Sequence, residues 1–177
     1  LHAPPSNDGL PAPGEEPAAQ PWRRDAVRAV LLTPAGEVLL MCAEDPGDGR
    51  RVWFAPGGGL EPGEDDAAGL ARELREETGR SGLAIGPLLW KRFHAFTWGG
   101  RLIHQHERLY LVPTPRFEPS IGANPAAAEL SAFRGYRWWT AAQIAASPQL
   151  FAPRRLPALL RELELHGPPS QPLDAGV

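Results

Sequence analysis

Three glycines followed by glutamates at positions 64, 73, 76 and 77 mark the stretch Gly57–Arg80, GGGLEPGEDDAAGLARELREETGR. On a helix, residues three and four apart share a face, so Glu73, Glu76 and Glu77 belong to one face. Like charges at that spacing repel, and the interleaved Arg72 and Arg75 relieve only part of the repulsion. Converging carboxylates are what a hard divalent cation requires, because Mg2+ or Mn2+ takes oxygen ligands in near-octahedral geometry. The glycines carry no Cβ, so their backbone carbonyls and amides can approach a metal or a phosphate closely. Glu64, eight residues before Arg72, is spaced to pin the loop onto the helix through an ion pair. For the glutamates alone, the plain alternative is a solvated acidic helix behind a Gly-Pro loop.

The elements that must hold this stretch can be read from local signals. Asp65 or Asp66 caps a helix that runs to about Thr78, and Gly79 stands where a C-terminal cap belongs. Leu70 and Leu74, with Ala67 and Ala71 beside them, give that helix one narrow apolar stripe. Two β-type runs, 26–33 and 37–43, flank Pro34-Ala35-Gly36 and read as a hairpin. VWFAP is a short strand that ends at Pro56 and delivers the chain to the glycines. A second hairpin with long strands turns at Gly99-Gly100. YRWW is a short strand. Thr140, with Gln143 at the capping-box position, starts a further helix. The last helix carries Leu156, Leu159, Leu160 and Leu163 and stops at Gly167. Interleaved strands and helices make a mixed α/β domain.

Bulk properties narrow the classes. The 177 residues suit one domain, predicted over 22–166. Residues 1–21 and 167–177 are rich in Pro, Ala and Gly and are expected to be disordered tails. Residues 1–21 lack the charged and apolar regions of a signal peptide. The net charge of −3 gives no basic footprint for nucleic acid. Lys91 is the single lysine among 18 Lys and Arg residues, a composition that reads as genomic bias rather than function. The lone Cys42 allows no intrachain disulfide and reads as a buried thiol of a reduced, cytoplasmic protein. No apolar run is long enough to span a membrane.

The spacing Gly58–five residues–Glu64–seven residues–Arg72-Glu73-Leu74–one residue–Glu76-Glu77–one residue–Gly79 resembles the Nudix box of the Nudix hydrolases. Every charged and glycine position of that motif is filled. The closing position, aliphatic in the family, is Arg80, a departure that bears on local packing more than on chemistry. The pattern as a whole looks like a group of actinobacterial Nudix hydrolases of unassigned substrate. The resemblance implies a Nudix fold, an α/β/α sandwich with a mixed central sheet. It implies metal-dependent hydrolysis of the diphosphate linkage in a nucleoside diphosphate-X substrate, with Mg2+ or Mn2+ as cofactor. Carried over by position, Glu73, Glu76 and Glu77 would be metal ligands, with the Gly57 carbonyl as a further one. Arg72 and Glu64 would hold the loop to the helix, and Glu64 could also stand near the metal or its waters.

The family's general base varies, and two candidates lie outside the box. Glu107 shares a strand face with Ile103, Gln105, Leu109 and Leu111; Glu129, slightly favoured, precedes YRWW. His104 and His106 share the opposite face with Arg108 and Tyr110 and read as ordinary strand histidines. Trp53, Phe96 and Trp98 could stack on a base but default to packing. Trp138 and Trp139 are adjacent in a strand and so face opposite ways, one to the core and the other to solvent or an interface. Exposed tryptophans would permit a homodimer. Markers of NADH, coenzyme A and ADP-ribose pyrophosphatases are absent, with Ala95 standing where many of the last have proline. A nucleoside triphosphate or related small nucleotide is the expected substrate. Nucleoside diphosphate sugars, ADP-ribose or dinucleotides come second. The rivals of another class are a nucleotide-binding module without turnover and a structural acidic domain.

Overall fold

The computed structural model describes residues 20–121 and 131–176. Four long strands carry the architecture: β1 (Trp22–Leu32), β2 (Glu37–Glu44), β5 (Leu88–Trp98) and β6 (Arg101–Pro113). Between them lie β3 (Arg51–Phe54), β4 (Gly57–Gly59) and α1 (Asp66–Thr78). After them come β7 (Phe133–Thr140), α2 (Ala141–Ala146), β8 (Phe151–Ala152), α3 (Leu156–His166) and β9 (Leu173–Asp174).

One mixed sheet runs β8-β3-β2-β1-β6-β5-β9, with β4 paired to β1 and β7 paired to β2. The Gly99-Gly100 turn joins β5 and β6 as expected, with both glycines at positive φ (57° and 79°). The first hairpin is a correction. Its turn forms, with the Thr33 N–H donating to the Glu37 carbonyl at 2.9 Å, but β1 and β2 pair only at Leu32↔Val38. The rest of β1 bonds to the glycines of β4 on one side and runs parallel to β6 on the other. β2 pairs instead with β3 and β7. A turn signal sets where a chain reverses; it does not set which strands then compete for each edge.

Helices cover both faces of the sheet. On one, Leu70 and Leu74 of α1 pack with Val27, Leu31, Val112 and Trp138. On the other, Ile144 of α2 and Leu156, Leu159, Leu160 and Leu163 of α3 pack with Val30, Leu40, Leu89, Leu109 and Trp139. Each fully buried leucine contributes about 1.5–3 kcal/mol. The result is the expected α/β/α sandwich. Two-sided cover also corrects the tryptophan expectation. Trp138 and Trp139 do face opposite ways, but both are buried, at 8% and 2% exposure, because a hydrophobic cluster covers each face of the sheet at that end of β7. Trp22, Trp53 and Trp98 are half-buried and Trp90 is buried, so no tryptophan offers the exposed ring invoked for a homodimer. The expectation of a disordered 167–177 is corrected as well. Leu173 and Asp174 pair in parallel with Trp90 and Lys91, and Ala175 is buried. A two-residue edge strand needs only backbone bonds and one small apolar contact, which composition does not reveal. No helix among the described residues is long and apolar enough to cross a membrane.

Candidate active site

The helix of the box forms where its caps place it. The Asp65 side chain accepts from Ala68 N at 2.8 Å, and Gly79, at φ 72°, closes the far end on the Arg75 carbonyl. Arg108 clamps Asp66 through two bonds of 2.6 and 2.7 Å, which ties the start of α1 to β6. At the other end the Tyr136 hydroxyl donates to the Glu77 carbonyl. The departure at Arg80 has a local partner: its guanidinium lies 4.5 Å from the Phe117 ring centroid, where an aliphatic side chain would otherwise pack.

The loop is locked to this helix by Arg72. Its guanidinium donates to both oxygens of Glu64 (2.9 Å each), to Glu73 Oε1 (2.8 Å) and to the Gly59 carbonyl (3.0 Å). Glu64 in turn accepts from Glu61 N at 2.9 Å, which closes the loop on itself. Two glycines are required by geometry. Gly57 sits at φ 133°, and a Cβ there would fall 2.1 Å from the Val27 carbonyl oxygen. A Cβ on Gly58 would fall 2.4 Å from Glu73 Oε1. The glycine strand therefore lies directly over the carboxylates of the helix. Glu77 accepts from Gly57 N at 2.6 Å.

Glu73 and Glu77 are both buried, at 1% exposure, and Glu76 is half-buried, 3.6 Å from Arg72 and 3.7 Å from Arg75. Burial pushes the Glu77 carboxyl above its ordinary range, and the charge of Glu73 pushes the same way. Among the described residues, no three His, Cys, Asp or Glu side chains stand together as a ready metal cage. The donor set still suits a hard cation: two buried carboxylates whose mutual repulsion a divalent ion would relieve. The Gly57 carbonyl, expected as a further ligand, accepts a bond from Arg28 Nη1.

Arg28 opens onto a second array that sequence reading missed. A cleft of about 260 Å³ lies beside the box, with Arg24, Arg28, Arg92, Gln105 and Glu107 on its polar side. Phe54, Phe96 and Trp98 line its apolar side, and Arg50 and Arg154 also border it. Glu107 does share the inward face of β6 with Gln105 and Leu109, as expected, and it is gripped from both sides. Arg28 Nε donates to it at 2.8 Å and Arg92 Nε at 2.5 Å, and Gln105 Nε2 adds a bond of 2.9 Å. Burial opposes its charge, but Arg92 and Arg28 outweigh burial and hold its carboxyl down at about 2. Burial and the charge of Arg92 lower His94, stacked on Phe96, to about 4, so it is neutral near pH 7. Asp45 fixes the loop between β2 and β3 to the β5–β6 hairpin tip by accepting from Gly47 N (2.8 Å) and Gly99 N (2.9 Å). One signal could have exposed Arg28: a lone cation inside the apolar run AVRAVLL. His104 and His106 face away from the cleft and pack edgewise or tilted on Phe93. Glu129 lies outside the described residues.

The NUDIX domain profile matches residues 22–161, most of the chain. The chain belongs to the Nudix family. Its Nudix core is similar to the RNA pyrophosphohydrolase of Roseobacter denitrificans, 29% identical over 167 residues, which covers 86% of this chain and 98% of that protein. Over 77 residues it is 42% identical to human 8-oxo-dGDP phosphatase NUDT18, covering 42% of this chain and 23% of the human protein. The fold is that of the MutT protein from Methanosarcina mazei, with a TM-score of 0.61 at 19% identity over 82% of this chain and 96% of that one. The Burkholderia pseudomallei MutT NUDIX hydrolase gives 0.57 at 23% identity, covering 80% and 98%. The chain spans less than a quarter of the human relative's length.

Proposed function

We propose that this chain is a Mg2+- or Mn2+-dependent pyrophosphohydrolase whose substrate is a nucleoside triphosphate or a closely related small nucleotide. The observation that carries the reading is the buried Glu73–Glu77 pair under the Gly57–Gly59 strand, beside an arginine-lined cleft. Glu73, Glu76 and Glu77 would hold the metal. When bound, it would neutralise phosphate charge and lower the pKa of a coordinated water. Arg72 and Glu64 keep the loop and helix in register. The cleft arginines meet the negative charge of the phosphates, and Phe54, Phe96 and Trp98 offer faces to a base.

Among the base candidates, Glu107 is ill suited. A carboxylate engaged by two guanidiniums and titrating at about 2 has little affinity for a proton near pH 7. We assign it a positioning role. Glu129, outside the described residues, remains as the candidate base. Cys42, buried in β2, is in keeping with a reducing, cytoplasmic setting. Nucleoside diphosphate sugars, ADP-ribose and dinucleotides stand second, since the cleft supplies more cationic groups than a neutral sugar needs.

The test is a panel incubated with Mg2+ or Mn2+: nucleoside triphosphates, oxidised guanine nucleotides, ADP-ribose, nucleoside diphosphate sugars and dinucleoside polyphosphates. A 5′-triphosphorylated RNA oligomer belongs in it because the names of the relatives point to one. Products are resolved by chromatography beside Glu77→Gln. Metal-dependent cleavage of a triphosphate, lost in the variant, supports the reading. Nucleotide-induced stabilisation without cleavage of any panel member would move the protein to the binding modules.

A further inference from the structure

Arg28 stands where the box and the cleft meet. It is 5% exposed, in the middle of an apolar strand, and its guanidinium lies 5.0 Å from the Phe54 ring centroid. On the cleft side its Nε donates to Glu107 Oε1 at 2.8 Å. On the box side its Nη1 donates to the carbonyls of Ala55, at 3.3 Å, and Gly57. The Gly57 backbone is shared: its carbonyl faces Arg28, and its N–H donates to Glu77 Oε2 at 2.6 Å. The next residue, Gly58, lies against the Glu73 carboxylate. A fixed cation is therefore linked to the buried carboxylates through the backbone of Gly57 and Gly58. Burial disfavours its charge, but the charges of Glu107, Glu77 and Glu73 outweigh burial and raise its pKa.

We infer that Arg28 is a second counter-cation of the Glu73–Glu77 pair, beside the Arg72 that bonds Glu73 directly, and that it lowers the pair's affinity for a divalent ion, with Glu107 dividing the charge of Arg28 between the two sites. The inference rests on the metal reading of those glutamates. An incoming cation meets a positive charge that already satisfies part of the negative field and occupies the Gly57 carbonyl. Charges this close interact strongly in a site shielded from water. Removing Arg28 therefore strengthens metal binding. Neutralising Glu107 does the reverse, because more of the Arg28 charge is left to oppose the metal. A merely structural ion pair behaves otherwise: breaking it from either side loosens the same site, and both variants lose affinity together.

The experiment titrates Mn2+ into the full chain without nucleotide and reads free Mn2+ by electron paramagnetic resonance. Wild type is compared with Arg28→Met, Arg28→Lys and Glu107→Gln, each checked for folding by circular dichroism. Arg28→Met is expected to bind Mn2+ about tenfold tighter, and Glu107→Gln about three- to tenfold weaker, at low ionic strength. Arg28→Lys, which keeps the charge, is expected to stay within about twofold of wild type. If Arg28→Met does not fold, Arg28→Gln, which can still bond the Gly57 carbonyl, takes its place. Two variants shifting in the same direction, or neither shifting, overturn the inference while leaving the metal reading intact. Wild type that binds no Mn2+ at millimolar concentration overturns the metal reading, and the inference with it.

Discussion

The molecule contains two arginine–carboxylate clamps built on the same chemistry and in opposite ways. In the box, Arg72 grips Glu64 and Glu73 across eight residues and one. In the cleft, Arg28 and Arg92 grip Glu107 across 79 and 15 residues. The first clamp is local and half-open, with Arg72 and Glu64 side chains 15% and 13% exposed. The second is sealed, with all three side chains at 6% or less. A local clamp can form as soon as its helix forms. A sealed clamp forms only when β1, β5 and β6 are in register, and its three side chains are then largely withdrawn from water. The box clamp should therefore matter mainly to the geometry of the site, and the cleft clamp to stability as well.

Variants separate these roles. The largest effect belongs to the carboxylates themselves: Glu77→Gln should lower kcat about a thousandfold or more, several kcal/mol of transition-state stabilisation, with the circular dichroism spectrum unchanged. Next is the sealed clamp. Glu107→Ala strands two buried guanidiniums and should cost about 3–5 kcal/mol in urea unfolding. Glu64→Gln should cost no more than about 1–2 kcal/mol while reducing kcat/KM about 10- to 100-fold, the usual effect of a partner behind a metal ligand. Equal stability losses in the two variants would erase the contrast.

Acid sharpens the same comparison. The Glu107 carboxyl titrates at about 2 in the folded protein, well below its ordinary 4.5. Its contribution to stability is complete above the unfolded value and is lost as pH falls from about 4.5 through 2. Urea midpoints across that window should fall less steeply in Glu107→Gln than in wild type. A smaller effect is expected in the cleft wall, where Trp98→Ala should raise KM about five- to tenfold with kcat held, the worth of about 1 kcal/mol of ring stacking. The smallest belongs to the family departure at the end of the box. Arg80→Leu should shift stability by no more than about 1 kcal/mol, since a cation over Phe117 is exchanged for apolar packing.

The legible part of the molecule follows the same division. The limits of α1, with its N-cap narrowed to Asp65 or Asp66 and its C-cap at Gly79, the Glu64–Arg72 pair and the Gly99-Gly100 turn are all legible in the sequence, because each depends on residues within one or two helical turns or one hairpin. The common inward face of Gln105 and Glu107 was legible too, since strand alternation is also local. What Glu107 does on that face was not. Read as a candidate base, it became a clamped anion once Arg28 and Arg92 arrived from other strands.

By itself, then, the chain order determined the chemistry of the box and the helix that presents it, through spacings that act along one segment. Only the tertiary structure decided which strand flanks β1, that Trp138 and Trp139 are both interior, that Leu173 and Asp174 add an edge strand, and that Arg28 reaches the Gly57 carbonyl. Those outcomes depend on which distant backbones win each hydrogen-bonding edge. That competition is settled by the burial of both sheet faces at once, and no short window of sequence contains it.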